Sequence, residues 1–276
     1  MEKNDKKTSN MANSSNGELK PKGSYVAVNG LNMYCEIYGE GKPLILIHGG
    51  GSTIQTSFGA VIPQLAEHRQ IIAVELQAHG RTGDRNADLS FEQDADDVAM
   101  LVEKLKINKA DFFGFSNGAT TTLQIAIRHP HIVDRIILGS PLAKRNGVPA
   151  QFWDFMNQAK IENMPAQLKE AYKKVSPDAN GLQIMHDRDV KRMVNFKDIP
   201  DEKIKSIQAP TLIIIGDKDV ITPEHALEMH RMISNSQLAI IPGAHGEYIG
   251  EITTLKPNYK QTDFVVPMIE KFLDQE

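Results

Sequence analysis

Four short runs in this chain, LILI at 44–47, QIIAV at 70–74, DFFGF at 111–115 and TLIII at 211–215, are apolar with few breaks. A strand with one wet face alternates polar and apolar residues. A run that does not alternate and is bounded by turn residues suits a strand covered on both faces. Between the runs the spacing changes. Phe91, Ala95, Val98, Leu101, Val102 and Leu105 recur at intervals of three and four, and Glu92, Asp94, Asp96 and Asp97 crowd the start, where a helix favours negative charge. Helices are predicted at 57–68 (with Pro63 near its first turn or at a break), 91–105, 117–128 ahead of Pro130, 223–233 and 263–273. Two further strands are predicted at 134–138 and 236–241. Strands alternating with helices imply an α/β fold, a parallel sheet with helices on both faces. Ahead of it, YVAV and LNMYCEIY flank Asn29-Gly30, the dipeptide suited to a type I′ hairpin turn.

The segment 141–208 breaks the rhythm. It lacks a convincing strand and carries amphipathic pieces, such as Phe152, Phe155, Met156 and Ala159, then Leu168, Ala171, Tyr172 and Val175. A helical lid inserted between core strands has this pattern; extra core helices are the alternative. The core then comprises 24–140 and 209–276. Residues 1–23, rich in Asn, Lys and Ser, read as a disordered polar tail without the apolar stretch of a signal peptide. No run approaches the roughly 20 apolar residues of a membrane span. The 31 basic and 35 acidic residues are interspersed, with a net charge of −4 and no basic stripe, which argues against a nucleic-acid partner. Cys35 is the single cysteine and has no internal disulfide partner. It is compatible with the reducing, cytoplasmic setting we expect.

The chemistry is concentrated at the carboxyl ends of the strands. Gly114-Phe115-Ser116-Asn117-Gly118 follows one buried run and opens a helix. The pattern G-x-S-x-G alone arises by chance in roughly one chain in ten of this length. The strand-turn-helix context gives it weight, because a sharp turn there holds the serine hydroxyl out at the rim. A serine capping an ordinary helix is the alternative. Ser116 needs a base, and His245 sits in a loop after the last strand, on the same rim. Asp219, in the loop after 211–215, can orient that imidazole; Asp217 is its rival. Charge on a tetrahedral intermediate needs donors. The Asn117 N–H is one, and the HGGG loop at 48–51 supplies another, Gly50 first and Gly51 second. His48 is read as a structural hydrogen-bonding residue.

Taken together, LILIHGGG, ELQAHGRTGD, GFSNGA, RHPHIVDRIILGSP, APTLIIIGDKDVITPEHA and IPGAHG make the chain resemble the α/β-hydrolase superfamily from about Tyr25 onward, in particular its small, lidded bacterial serine hydrolases. The resemblance implies a mostly parallel eight-stranded sheet with a helical lid, and a reaction needing no cofactor or metal. The order Ser116, Asp219, His245 is that family's order, and its G-x-x-D pattern favours Asp219 over Asp217. Ser116 argues against relatives with an aspartate at the elbow. Glu75 and Ala78 stand where relatives commonly carry Asp and Gly, and Glu247 and Tyr248 just after His245, with the stretch from Glu251 to Gln261, make a longer end than the minimal family one.

These readings predict a carboxylesterase-like hydrolase of a small or medium acyl substrate, with Phe152, Trp153 and Met156 lining the pocket. C–C, lactone or amide hydrolysis or perhydrolysis by the same residues, and a ligand receptor with little turnover, are the alternatives.

Overall fold

The computed structural model describes residues 20–256 and 261–275. The proposed tail lies almost wholly outside them. The hairpin begins earlier than expected: β1 (Lys22–Val28) pairs antiparallel with β2 (Leu31–Tyr38). Residues 22 and 23 thus belong to the sheet rather than to a tail, because Lys22 and Gly23 find partners in Ile37 and Glu36. Asn29 and Gly30 both have positive φ, 41° and 83°, as the type I′ turn demands.

The remaining strands are β3 (Pro43–Ile47), β4 (Gln70–Val74), β5 (Ala110–Phe115), β6 (Val133–Gly139), β7 (Thr211–Gly216) and β8 (Ser236–Ile241). They form one eight-stranded sheet in the order β1-β2-β4-β3-β5-β6-β7-β8. From β4 across to β8 every pairing is parallel. Successive side chains of a strand point to opposite faces, so each buried run feeds two cores. Ile45, Ile47, Phe112, Ile213 and Ile215 belong to one, and Leu44, Leu46, Phe113, Leu212 and Ile214 to the other. This two-sided burial is why the runs do not alternate, and each such side chain contributes about 1.5–3 kcal/mol by leaving water.

Helices α1 (Ile54–Phe58), α2 (Ile62–Leu65), α3 (Phe91–Lys104), α4 (Asn117–Arg128), α5 (Ala150–Asn157), α6 (Ala166–Val175), α7 (Gly181–Val194), α8 (Asp201–Lys205), α9 (Pro223–Met232) and α10 (Thr262–Leu273) complete the fold. The helix expected over 57–68 is two short helices instead. Thr53 starts the first at 54 through a capping box with Thr56, and the chain breaks at 59–61 before Pro63 enters the first turn of α2. Between β6 and β7 the described chain is helical, α5 to α8 with short connections. No helix among the described residues is long and apolar enough to cross a membrane.

Candidate active site

Because β3 to β8 run parallel, the loops that leave their carboxyl ends share one rim of the sheet, where ligands bind in open α/β folds. The glycine loop leaves β3, His79 follows β4, Ser116 follows β5, Ser140 follows β6, Asp219 follows β7 and His245 follows β8.

The turn after β5 is tight. A Cβ at Gly118 would overlap the carbonyl oxygens of Ile47 and His48, and only glycine lets α4 approach β3 this closely. Ser116 itself has φ 54° and ψ −120°, a strained conformation held by its N–H on the Gly139 carbonyl (2.8 Å) and by its own carbonyl on the Ala119 N–H (2.8 Å). Its hydroxyl caps no backbone amide of α4, so the N-cap alternative does not describe it. Gly118→Ala should cost about 3 kcal/mol, the upper end for overpacking, and lower Tm by roughly 6–12 °C. A thermal melt checks this; an unchanged Tm would mean the elbow can relax.

The hydroxyl of partly buried Ser116 lies 2.9 Å from His245 Nε2, and His245 Nδ1 lies 2.7 Å from Asp219 Oδ1. The carboxylate can only accept, so Nδ1 carries the proton and Nε2 is free to accept from Ser116. Burial alone would push the His245 imidazole down. The charge of Asp219 and its hydrogen bond outweigh that and raise it above its ordinary value. Burial likewise works against the Asp219 carboxylate, but His245 and Ser140 hold it below the usual range. Asp217 plays a different part: its exposed carboxylate accepts the Gly243 N–H at 2.7 Å and braces the loop that carries His245.

Two residues behind Asp219 support it and carry no motif in the sequence. Ser140 Oγ donates to Asp219 Oδ2 (2.6 Å), so with its one proton spent it accepts from Tyr248 OH (2.9 Å). Ser140 has φ 50°, and Tyr248 is 1 % exposed. The sequence hints were slight: a Gly-Ser-Pro step at the end of β6, and an aromatic in the extension after His245. That extension is accounted for in part. Glu247 accepts the Ala244 N–H (2.9 Å) and pairs with Lys256 (2.7 Å), while buried Glu251 takes the N–H and hydroxyl of Thr253. Residues 257–260 of it lie outside the described residues.

On the other side, the Gly49 N–H donates to Ser57 Oγ (3.2 Å) and the Gly51 N–H to Asp189 Oδ2 (2.6 Å). Gly51 is thereby corrected as a donor candidate, because its N–H is already engaged. The Gly50 N–H has no hydrogen-bond partner among the described residues. His48 donates from Nδ1 to its neighbour's carbonyl and accepts the Leu76 N–H at Nε2; burial pushes it down to about 3, so it stays neutral.

A cavity of about 250 Å³ opens beside Ser116, lined by Gly50, Gly51 and Asn117 from the core and by side chains of 152–193. Phe152 and Met156 line it. Trp153 does not. Its indole N–H donates to the Arg145 carbonyl (2.9 Å), the Arg145 guanidinium lies 3.7 Å over its ring, and Phe196 stacks on it. One helical position from Phe152 turns it about 100° away, into packing between the helices and the core.

A model of the alpha/beta hydrolase fold matches residues 42–187. The 2-hydroxy-6-oxo-2,4-heptadienoate hydrolase of Pseudomonas putida is 27% identical over 250 residues, 82% of this chain and 90% of its own length. Human serine hydrolase BPHL is 25% identical over 240 residues, covering 81% of this chain and 80% of its own. Among solved structures, a meta-cleavage product hydrolase from Pseudomonas fluorescens IP01 superposes with a TM-score of 0.76 at 24% identity, over 91% of this chain and 97% of that one.

Proposed function

The chain belongs to the alpha/beta hydrolase fold family, and on that premise we propose that it is a serine hydrolase of small or medium, uncharged acyl compounds, carboxylic esters first among them. The observation that carries this reading is the unbroken hydrogen-bond chain Ser116–His245–Asp219 opening onto an apolar cavity. Ser116 Oγ attacks the carbonyl and passes its proton to His245 Nε2. Asp219 stabilises the imidazolium, which then protonates the departing alkoxide. Asn117 and Gly50 amides hold the oxyanion, each such donor supplying on the order of 3 kcal/mol. His245 next takes a proton from water as the water oxygen attacks the acyl carbonyl, and the imidazolium returns that proton to Ser116 Oγ as the acid leaves. Residues 141–208 serve as a lid that excludes bulk water from this exchange.

C–C bond hydrolysis is the second reading, because the Pseudomonas putida relative acts on a dienoate by its name. A dienoate brings a carboxylate, which calls for a cation in the pocket. Here the lysine or arginine on the cavity wall is the exposed Lys160; His186, also on the wall, is buried and hydrogen-bonded to Asp187 (3.0 Å). The nearby guanidiniums are spent: Arg192 on Asp189 and Asp94, Arg188 on Asp84 and Asp88. Phe, Met, Leu, Val, Ala and Pro make up most of the rest of the wall, which favours the uncharged acyl group. Turnover of 4-nitrophenyl acetate, butyrate and octanoate beside 2-hydroxy-6-oxohepta-2,4-dienoate separates the two. We expect the esters to have the higher kcat/KM; a dienoate kcat/KM above all three would overturn the preference.

The pH dependence follows from His245, which must be neutral at Nε2 to act as base. Its pKa is raised, so kcat/KM for an ester should rise with pH through a midpoint above about 6.5. A pH–rate profile with its acid-side midpoint below that value would contradict the pairing with Asp219.

A further inference from the structure

Three successive amides of the glycine loop have different fates. Gly49 is pinned by Ser57, Gly51 is pinned by Asp189, and Gly50 between them has its N–H uncommitted among the described residues. The Ser57 pin is local, eight residues away. The Asp189 pin comes from α7, 138 residues along the chain.

Asp189 is itself held with unusual firmness. Its Oδ2 accepts from the Gly51 N–H and from His79 Nε2 (3.0 Å), and its Oδ1 from the Arg192 guanidinium (2.5 Å). His79 donates from Nδ1 to the Gln77 carbonyl (2.8 Å), so both ring nitrogens donate and the ring is an imidazolium. Arg192 reaches on to Asp94 of α3 (2.6 Å). All four side chains are buried, and the two cations balance the two carboxylates. A charge cluster this deep is an expensive way to hold a helix on a core, since apolar packing would do as well. What it supplies beyond packing is a fixed acceptor at the oxyanion loop.

We propose that Asp189 is a positioning residue for the oxyanion hole: by accepting the Gly51 N–H it fixes the loop so that the Gly50 N–H, with that of Asn117, faces the developing oxyanion. The lid helix thus sets the geometry of a core loop, and the hole is complete only when α7 is docked. This rests on the serine-hydrolase reading above.

The test uses 4-nitrophenyl butyrate for turnover and 1,1,1-trifluoroheptan-2-one as probe, a ketone that Ser116 would convert to a hemiketal oxyanion. In Asp189→Ala we expect kcat to fall about 10- to 100-fold and the ketone's inhibition constant to rise by the same factor, with KM within about twofold, the pattern of a loss felt only by the oxyanion. Asp189→Asn keeps an acceptor oxygen and should retain most of both. Asp189→Glu keeps the charge between His79 and Arg192, and so the fold, but displaces the acceptor by one methylene. It should lose both in parallel, which keeps the idea testable if the alanine variant fails to fold. Ketone affinity unchanged in the Ala or Glu variant while kcat falls, or a rise confined to KM, would overturn the inference. A wild-type enzyme that turns over the ester but is not inhibited by the ketone would do the same. A wild type inert to both would overturn the hydrolase reading itself.

Discussion

Ser116→Ala should lower ester turnover by on the order of 10⁴-fold or more while leaving the fold intact. The size follows from the chemistry. Alanine has no lone pair to attack the carbonyl, so the acyl-enzyme route closes, and what remains is water attacking a substrate held by the oxyanion donors. The fold should survive because Ser116 is held through its backbone, by Gly139 and Ala119, and its hydroxyl caps no amide. Alanine keeps the Cβ, so the strain at φ 54° is unchanged. Steady-state kinetics on 4-nitrophenyl butyrate with a thermal melt checks both halves. Residual turnover within tenfold of the wild type, in variant protein with an unaltered melt, would remove Ser116 from the reaction.

The second large effect separates two acids two residues apart. Asp219→Asn should reduce kcat by about 10⁴-fold. An amide that presents its NH₂ to Nδ1 turns the imidazole to the wrong tautomer, with its proton at Nε2 where it must accept from Ser116. Asp217→Asn should leave kcat within about threefold, because among the described residues its side chain makes one exposed bond, to the Gly243 N–H, that an amide oxygen can replace. The asymmetry is read from paired kinetics of the two variants, and the reverse ranking would move the acid role to Asp217. Glu251 is buried and close enough to His245 to interact with it electrostatically, but its Oε2 accepts from Thr253, and the acid hydrogen-bonded to the ring, at Nδ1, is Asp219.

Much of this arrangement was legible because the residues concerned obey rules that act locally. The buried runs of β3, β4, β5 and β7 are long enough to name themselves, and the glycines around Ser116 mark a turn that no other residue permits. Ser116, Asp219 and His245 are each a loop residue just past a strand. A parallel sheet turns that shared position into spatial proximity without any further information. The helix start at Ile54 is hard to read from sequence because its capping box is a Thr–Thr pair without the usual Glu or Gln partner. Trp153 was misjudged since adjacent helical positions differ in direction by about 100°, and only the docking of α5 decides which of Phe152 and Trp153 faces the cavity. Ser140, Tyr248, His79, Asp189 and Arg192 were invisible for another reason. Their meaning lies in contacts between segments up to 138 residues apart, and a lone Asp on an amphipathic helix reads as a solvated face. Core elements and rim residues are thus local facts, whereas the supports behind them are tertiary ones.

The central claim, that Ser116 is an activated nucleophile, is tested most directly by incubating the wild type and Ser116→Ala with a fluorophosphonate and locating the adduct by peptide mass spectrometry. We predict a single adduct on Ser116 in the wild type and none in the variant. Labelling that persists in Ser116→Ala, or that falls on another residue of the wild type, would contradict it.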